Sequence, residues 1–183
     1  MTEIGNIRER SPKQMAALAI LIAMAMVLSF VEIPLIESAP WLKYDASGII
    51  ALLAMLIYGP LAGVAVAILA WVPHLVTNPL GAFMNIIASV VVVVVMWLIY
   101  RKKRSLPFAI GGALVGSACS IIVSIALNFL VMPIYLPLTF IDVANSILPA
   151  LLPYNIAKLA INCAVALVAY RKLAALLAEK DEV

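Results

Sequence analysis

The sequence predicts an all-α integral membrane protein: one domain over residues 1–183, a bundle of six transmembrane helices with N- and C-termini cytoplasmic. Three observations predict it. Hydrophobic residues make up 66% of the chain and charged residues 11%, against about 45–50% and about 25% in soluble domains. The apolar residues fall in runs on the scale of the roughly 20 residues that cross a bilayer. The lysines and arginines gather at three places that six crossings would bring to one side.

The first span is predicted at 15–35, after Arg8, Arg10 and Lys13. Its charged approach and long apolar run mark a retained helix rather than a cleaved signal. The second (48–58) and third (61–76) are separated by the turn pair Gly59-Pro60. Both are short, so they either extend into the flanking loops or form a re-entrant hairpin. The fourth (83–100) ends at Arg101, Lys102, Lys103 and Arg104. The fifth (108–135) and sixth (147–170) follow, the last closed by Arg171 and Lys172. By the positive-inside rule all three basic regions are cytoplasmic. Glu32, Glu37, Lys43, Asp45, His74 and Asp142 then fall in or beside the outer loops. The net charge of +3 follows this topology and does not suggest a nucleic-acid partner.

The most unusual residue is Lys158, in the middle of the sixth span. A charge there costs roughly 2.5–3.5 kcal/mol on insertion scales and marks a functional position by default. Asn155 and Asn162 lie one turn either side, on the same helix face. No Asp or Glu lies in the middle of any predicted span, which argues against a carboxylate partner and for a role facing a ligand. Asn85 in the fourth span and Asn128 in the fifth add intramembrane amides towards the outer half of the bundle. Pro133, Pro137, Pro149 and Pro153 interrupt helices there, as tolerated where backbone lines a cavity. Asn78 and Asn145 read as helix ends and loops. Trp41, Tyr44, Trp71, Met84 and Met132 are candidates for apolar and stacking contacts.

Several functions lack their residues. His74 stands without a second metal ligand nearby and reads as a hydrogen-bonding loop residue. The serines have no His and acid set. No Gly-rich phosphate loop occurs, so ATP hydrolysis, if coupled, belongs to a partner. Cys119 and Cys163 suggest neither a disulfide framework nor a metal site. No catalytic residue, metal or cofactor is predicted. Two stripes of small residues could admit a neighbouring helix: Ala16, Ala19 and Ala23 in the first span, and Gly112, Gly116 and Ser120 in the fifth. Either could equally be internal packing.

Leu42-Lys43-Tyr44-Asp45-Ala46-Ser47 and Ile57-Tyr58-Gly59-Pro60-Leu61-Ala62-Gly63-Val64 resemble the substrate-binding S components of energy-coupling factor (ECF) vitamin transporters. The alanine-spaced first helix and Pro153-Tyr154-Asn155-Ile156-Ala157-Lys158 extend the resemblance to nearly the whole chain. Asn128-Phe129-Leu130-Val131-Met132-Pro133-Ile134-Tyr135, with Asn155 and Lys158, is most similar to the riboflavin-specific members. The resemblance implies that these asparagines and the lysine hydrogen-bond the flavin ring and ribityl chain. Ala82-Phe83-Met84-Asn85 departs from it, standing where a Gly-Glu-x-x-Asn-like stretch is common. The candidate substrate-binding set is thus Asn128, Asn155, Lys158, Asn85, Met84, Tyr44, Asp45 and Trp71, with Ala16, Ala19 and Ala23 for partner docking. Also implied are a prokaryotic plasma-membrane location, a transmembrane coupling subunit (T component), two cytosolic ATPases, and toppling in the membrane to deliver riboflavin or FMN inward. The alternatives are an S component for another vitamin and a membrane scaffold whose polar stripe contacts another subunit.

Overall fold

The computed structural model describes residues 11–37, 39–135 and 139–180; Arg8, Arg10 and Pro137 lie outside them. The described elements are α1 (Pro12–Ser29), the two-residue strands β1 (Ile33–Pro34) and β2 (Lys43–Tyr44), α2 (Ser47–Tyr58), α3 (Pro60–Leu69), α4 (His74–Thr77), α5 (Pro79–Tyr100), α6 (Leu106–Tyr135), α7 (Phe140–Asp142), a π-helical turn (Val143–Ile147) and α8 (Leu148–Lys180). Four helices, α1, α5, α6 and α8, are long and apolar enough to cross a membrane. At about 1.5 Å per residue, α2 and α3, of 12 and 10 residues, reach only about 18 and 15 Å. Neither alone spans a hydrocarbon core about 30 Å thick.

Local chemistry sets the boundaries. Ser11 caps α1 in a capping box with Gln14, and Pro12 occupies the first turn. The helix ends at Ser29, short of the expected 35, because the chain turns into β1, which pairs antiparallel with β2 (Ile33 with Tyr44, Pro34 with Lys43). Gly59 carries φ 89°, a left-handed conformation open to glycine at little cost. With Pro60 opening α3, it closes a tight helical hairpin. Helix α3 stops at Leu69 rather than 76, and the chain turns through Trp71 and Pro73 into α4. Asn78 accepts the N–H of Gly81 at 3.0 Å and caps α5, four residues before the expected start. The π-helical turn immediately precedes Pro149, which has no N–H to close a regular turn.

The buried core joins Ala25 of α1 to α2, α3, α5, the first half of α6 and the middle of α8. Helices α5 and α6 approach closely through the glycine stripe. A Cβ at Gly112 would lie 2.8 Å from the Met96 carbonyl oxygen, and one at Gly116 2.9 Å from that of Val92. Ser120 Oγ donates to the Ala88 carbonyl at 2.8 Å one turn further on. The second small-residue stripe is therefore internal packing. The first is not: Ala16, Ala19 and Ala23 are all exposed, and α1 buries only Ala25 and Ser29 fully.

Connectivity brings the start of α1, the Gly59 turn, the α5–α6 loop and the end of α8 to one end of the bundle. The hairpin β1–β2, α4, α7 and the start of α8 lie at the other. Arg101, Lys102, Lys103, Arg104, Arg171 and Lys172 share the first end, as the sequence grouped them.

Candidate ligand-binding site

Because α2 is short, the level a longer helix would occupy is filled by the first loop, which descends along α8. Tyr154 Oη donates to the Lys43 carbonyl at 2.6 Å. Lys158 Nζ meets Asp45 Oδ2 at 2.8 Å. Tyr44 Oη donates to Asn162 Oδ1 at 3.1 Å. Three successive turns of one α8 face thus hold three successive loop residues. A Cβ on Gly48 would run into the Asn162 amide nitrogen, so a larger residue there would push the Asn162 side chain off its place beside Tyr44.

The sequence expectation that Lys158 has no carboxylate partner is corrected here. Asp45 belongs to no span, yet the hairpin folds it inward until its side chain is 1% exposed, against 11% for Lys158. Ser47 supports the other carboxylate oxygen through its backbone N–H at 3.1 Å and through its hydroxyl. Lys158 also donates to Asn85 Oδ1 at 3.0 Å. Its ammonium lies 5.6 Å from the Trp71 ring centroid and 5.9 Å from that of Tyr154, within reach of cation–π attraction. Burial, then the charge of Asp45, raises the Tyr44 phenol above its ordinary pKa, so it remains a protonated donor.

Beside this network lies a cavity of about 700 Å³, within the roughly 300–1,000 Å³ usual for small-molecule sites. Of the candidate residues, Asn85, Asn128, Asn155, Lys158, Met84 and Trp71 line it, with Trp41 and Met132. Tyr44 and Asp45 are not among its lining residues and reach it through Asn162 and Lys158. Asn128 Nδ2 and Asn155 Nδ2 each donate to the carbonyl four residues earlier, at 2.8 and 2.9 Å. One N–H of each amide is thereby satisfied and its plane fixed, which leaves the side-chain oxygen to accept and the second N–H to donate. Apolar walls beside a few fixed donors and acceptors suit a flat ligand with apolar faces and a polar edge.

Ser120, Ser124 and Asn162 also line the cavity but were not among the candidates. The two serines precede Asn128 at four-residue spacing, a helical stripe that could have revealed them. His74 is buried in α4 and lines the cavity too. Its Nε2 is 2.9 Å from Ser29 Oγ, and its ring stacks on Phe30 with centroids 4.3 Å apart. It joins the end of α1 to α4, as a hydrogen-bonding residue. Among the described residues no group of three potential metal ligands occurs.

Fold and cavity together define a bundle of apolar helices, four of them long enough to cross a membrane, around a cavity of small-molecule size. Residues 13–170 match the family model described as ECF transporter, substrate-specific component, and the chain belongs to that family. It is 30% identical over 171 residues to the riboflavin transporter RibU of Staphylococcus aureus (strain TCH60), covering 88% of this chain and 90% of that one. It is 28% identical over 159 residues to the riboflavin transporter FmnP of Bacillus subtilis (strain 168), covering 80% and 84%. A solved structure of the S component of a bacterial ECF transporter matches with TM-score 0.80 at 30% identity, over 92% of this chain and 99% of that one.

Proposed function

We propose that this chain captures riboflavin outside the cell and delivers it inward as the S component of an ECF importer. The observation that carries the reading is the single cavity joining Lys158, Asn85, Asn128 and Asn155 to Trp71, Met84 and Met132. The isoalloxazine ring offers apolar faces to the last three and a hydrogen-bonding edge to the first four. Tyr44 and Asp45 act as positioning residues, holding Asn162 and Lys158. The names of two similar proteins, both riboflavin transporters, support the substrate.

The chain crosses the plasma membrane six times in this reading, with both termini and the α5–α6 loop cytoplasmic. The α2–α3 hairpin, supplemented by the first loop and α4, completes two of the crossings. A T component and two cytosolic ATPases supply the driving energy, and the exposed Ala16, Ala19 and Ala23 face of α1 receives the T component. This protein performs no chemistry on its ligand and carries no cofactor.

Titration of the purified protein with riboflavin, followed by quenching of flavin fluorescence, tests the assignment. One saturable site per chain is the expected result. Absence of saturable binding by both riboflavin and FMN would reject it.

A further inference from the structure

A second cavity, about 660 Å³, lies at the basic end of the bundle and shares no lining residue with the first. It forms where the Gly59-Pro60 turn meets the end of α5, the α5–α6 loop and the Tyr170–Leu173 stretch of α8. One wall carries Tyr100 and Tyr170, whose hydroxyl oxygens are 3.0 Å apart. One hydroxyl donates to the other, which leaves a second O–H free to donate elsewhere. Arg104 lines the cavity with its guanidinium carbon 5.9 Å from the Trp97 ring centroid. The described ion pairs are Lys43–Glu32 and Lys158–Asp45, so Arg104 belongs to neither. Ile57 and Leu173, 37% and 39% exposed, add an apolar rim.

Basic residues at this end follow from topology and do not by themselves make a site. What topology does not require is a cavity holding an arginine held by an aromatic ring, a hydroxyl pair and an apolar rim together. The described carboxylate side chains, Glu32, Glu37, Asp45 and Asp142, all lie towards the opposite end, while Arg101, Lys102, Lys103, Arg104, Arg171 and Lys172 gather at this one. Helix ends carrying tyrosine, tryptophan and arginine sit at headgroup depth in a bilayer. Basic pockets between membrane helices at that depth hold anionic headgroups.

We propose that this cavity binds an anionic phospholipid, with its phosphate on Arg104 and the Tyr100–Tyr170 hydroxyls and its acyl chains along Ile57 and Leu173. A free phosphate would use the polar wall but not the apolar rim. A zwitterionic lipid would bring a cation towards Arg104.

The test follows the thermal stability of the purified full-length protein in detergent, since a ligand that binds the native state raises Tm with its concentration. The probes are dioleoyl phosphatidylglycerol, dioleoyl phosphatidylcholine and inorganic phosphate. Phosphatidylglycerol alone should raise Tm. Arg104→Gln should need about ten to a hundred times more of it for the same shift, the usual worth of a hydrogen bond to a charged group. Arg101→Gln, which removes the same charge outside the cavity, should respond as the parent does. An equal response to phosphatidylcholine, or an equal response in Arg104→Gln, overturns the proposal. So does stabilisation by inorganic phosphate equal to that by the lipid, which would assign an anion site without a lipid. Should Arg104→Gln fail to fold, Tyr170→Phe replaces it, and an unchanged lipid response there is equally fatal. Loss of T-component co-purification with an unaltered lipid response would give the cavity to a protein partner instead.

Discussion

Lys158→Met separates ligand recognition from loop anchoring. The substitution keeps most of the side chain's length and removes its charge. It strands Asp45, whose side chain is 1% exposed, as a buried carboxylate without its cation. Breaking a buried pair by removing one partner costs about 3–5 kcal/mol. The lower end applies here, because Ser47 still donates to Asp45 through its N–H and hydroxyl. A marked fall in Tm is therefore expected for Lys158→Met, and also for Asp45→Asn, which leaves the ammonium buried with Asn85 as its close polar partner. The double variant, Lys158→Met with Asp45→Asn, removes both charges and should recover most of the lost stability. Riboflavin affinity should not recover with it. A hydrogen bond from the charged lysine is worth roughly 1.5–3 kcal/mol, so the double variant should bind about tenfold to a hundredfold more weakly. Melting temperature and flavin titration on the same four proteins decide the matter. A double variant binding within about twofold of the parent would show that Lys158 only anchors the first loop, and the ligand role would be lost.

Three further outcomes are expected. In a cysteine-free background, a cysteine at position 103 should resist an impermeant thiol reagent in intact cells while one at position 76 reacts; the reverse pattern overturns the orientation. Ala19→Leu or Ala23→Leu should impair uptake and leave riboflavin binding nearly intact, because both positions are exposed on α1; lost binding with normal T-component assembly would show that the stripe serves folding instead. Gly116→Val should destabilise by about 1–3 kcal/mol as overpacking does, since even its Cβ would sit 2.9 Å from the Val92 carbonyl oxygen. An unchanged melting temperature would mean that α5 and α6 separate easily.

Much of this molecule is legible in its residues one at a time. Long apolar runs must be helices in a bilayer, because only helices and closed barrels satisfy their own backbone there. Gly59-Pro60 announces a turn, Asn78 a helix end or loop, and the basic clusters a common end. Lys158 marks a site because a charge in an apolar helix needs a compensating environment. What stays hidden is the identity of that environment. Asp45 is separated from Lys158 by 113 positions and lies outside every predicted span, so even as a candidate site residue nothing in the sequence pairs it with Lys158. Helical spacing likewise shows that Gly112, Gly116 and Ser120 share a face, as do Ala16, Ala19 and Ala23. It cannot show that the first face meets α5 while the second remains uncovered. Periodicity records which residues lie together on one helix; which helix or loop then arrives opposite them is decided by the path of the whole chain. That path leaves α2 and α3 short, folds the first loop in against α8, and encloses the cavity among α2, α5, α6 and α8.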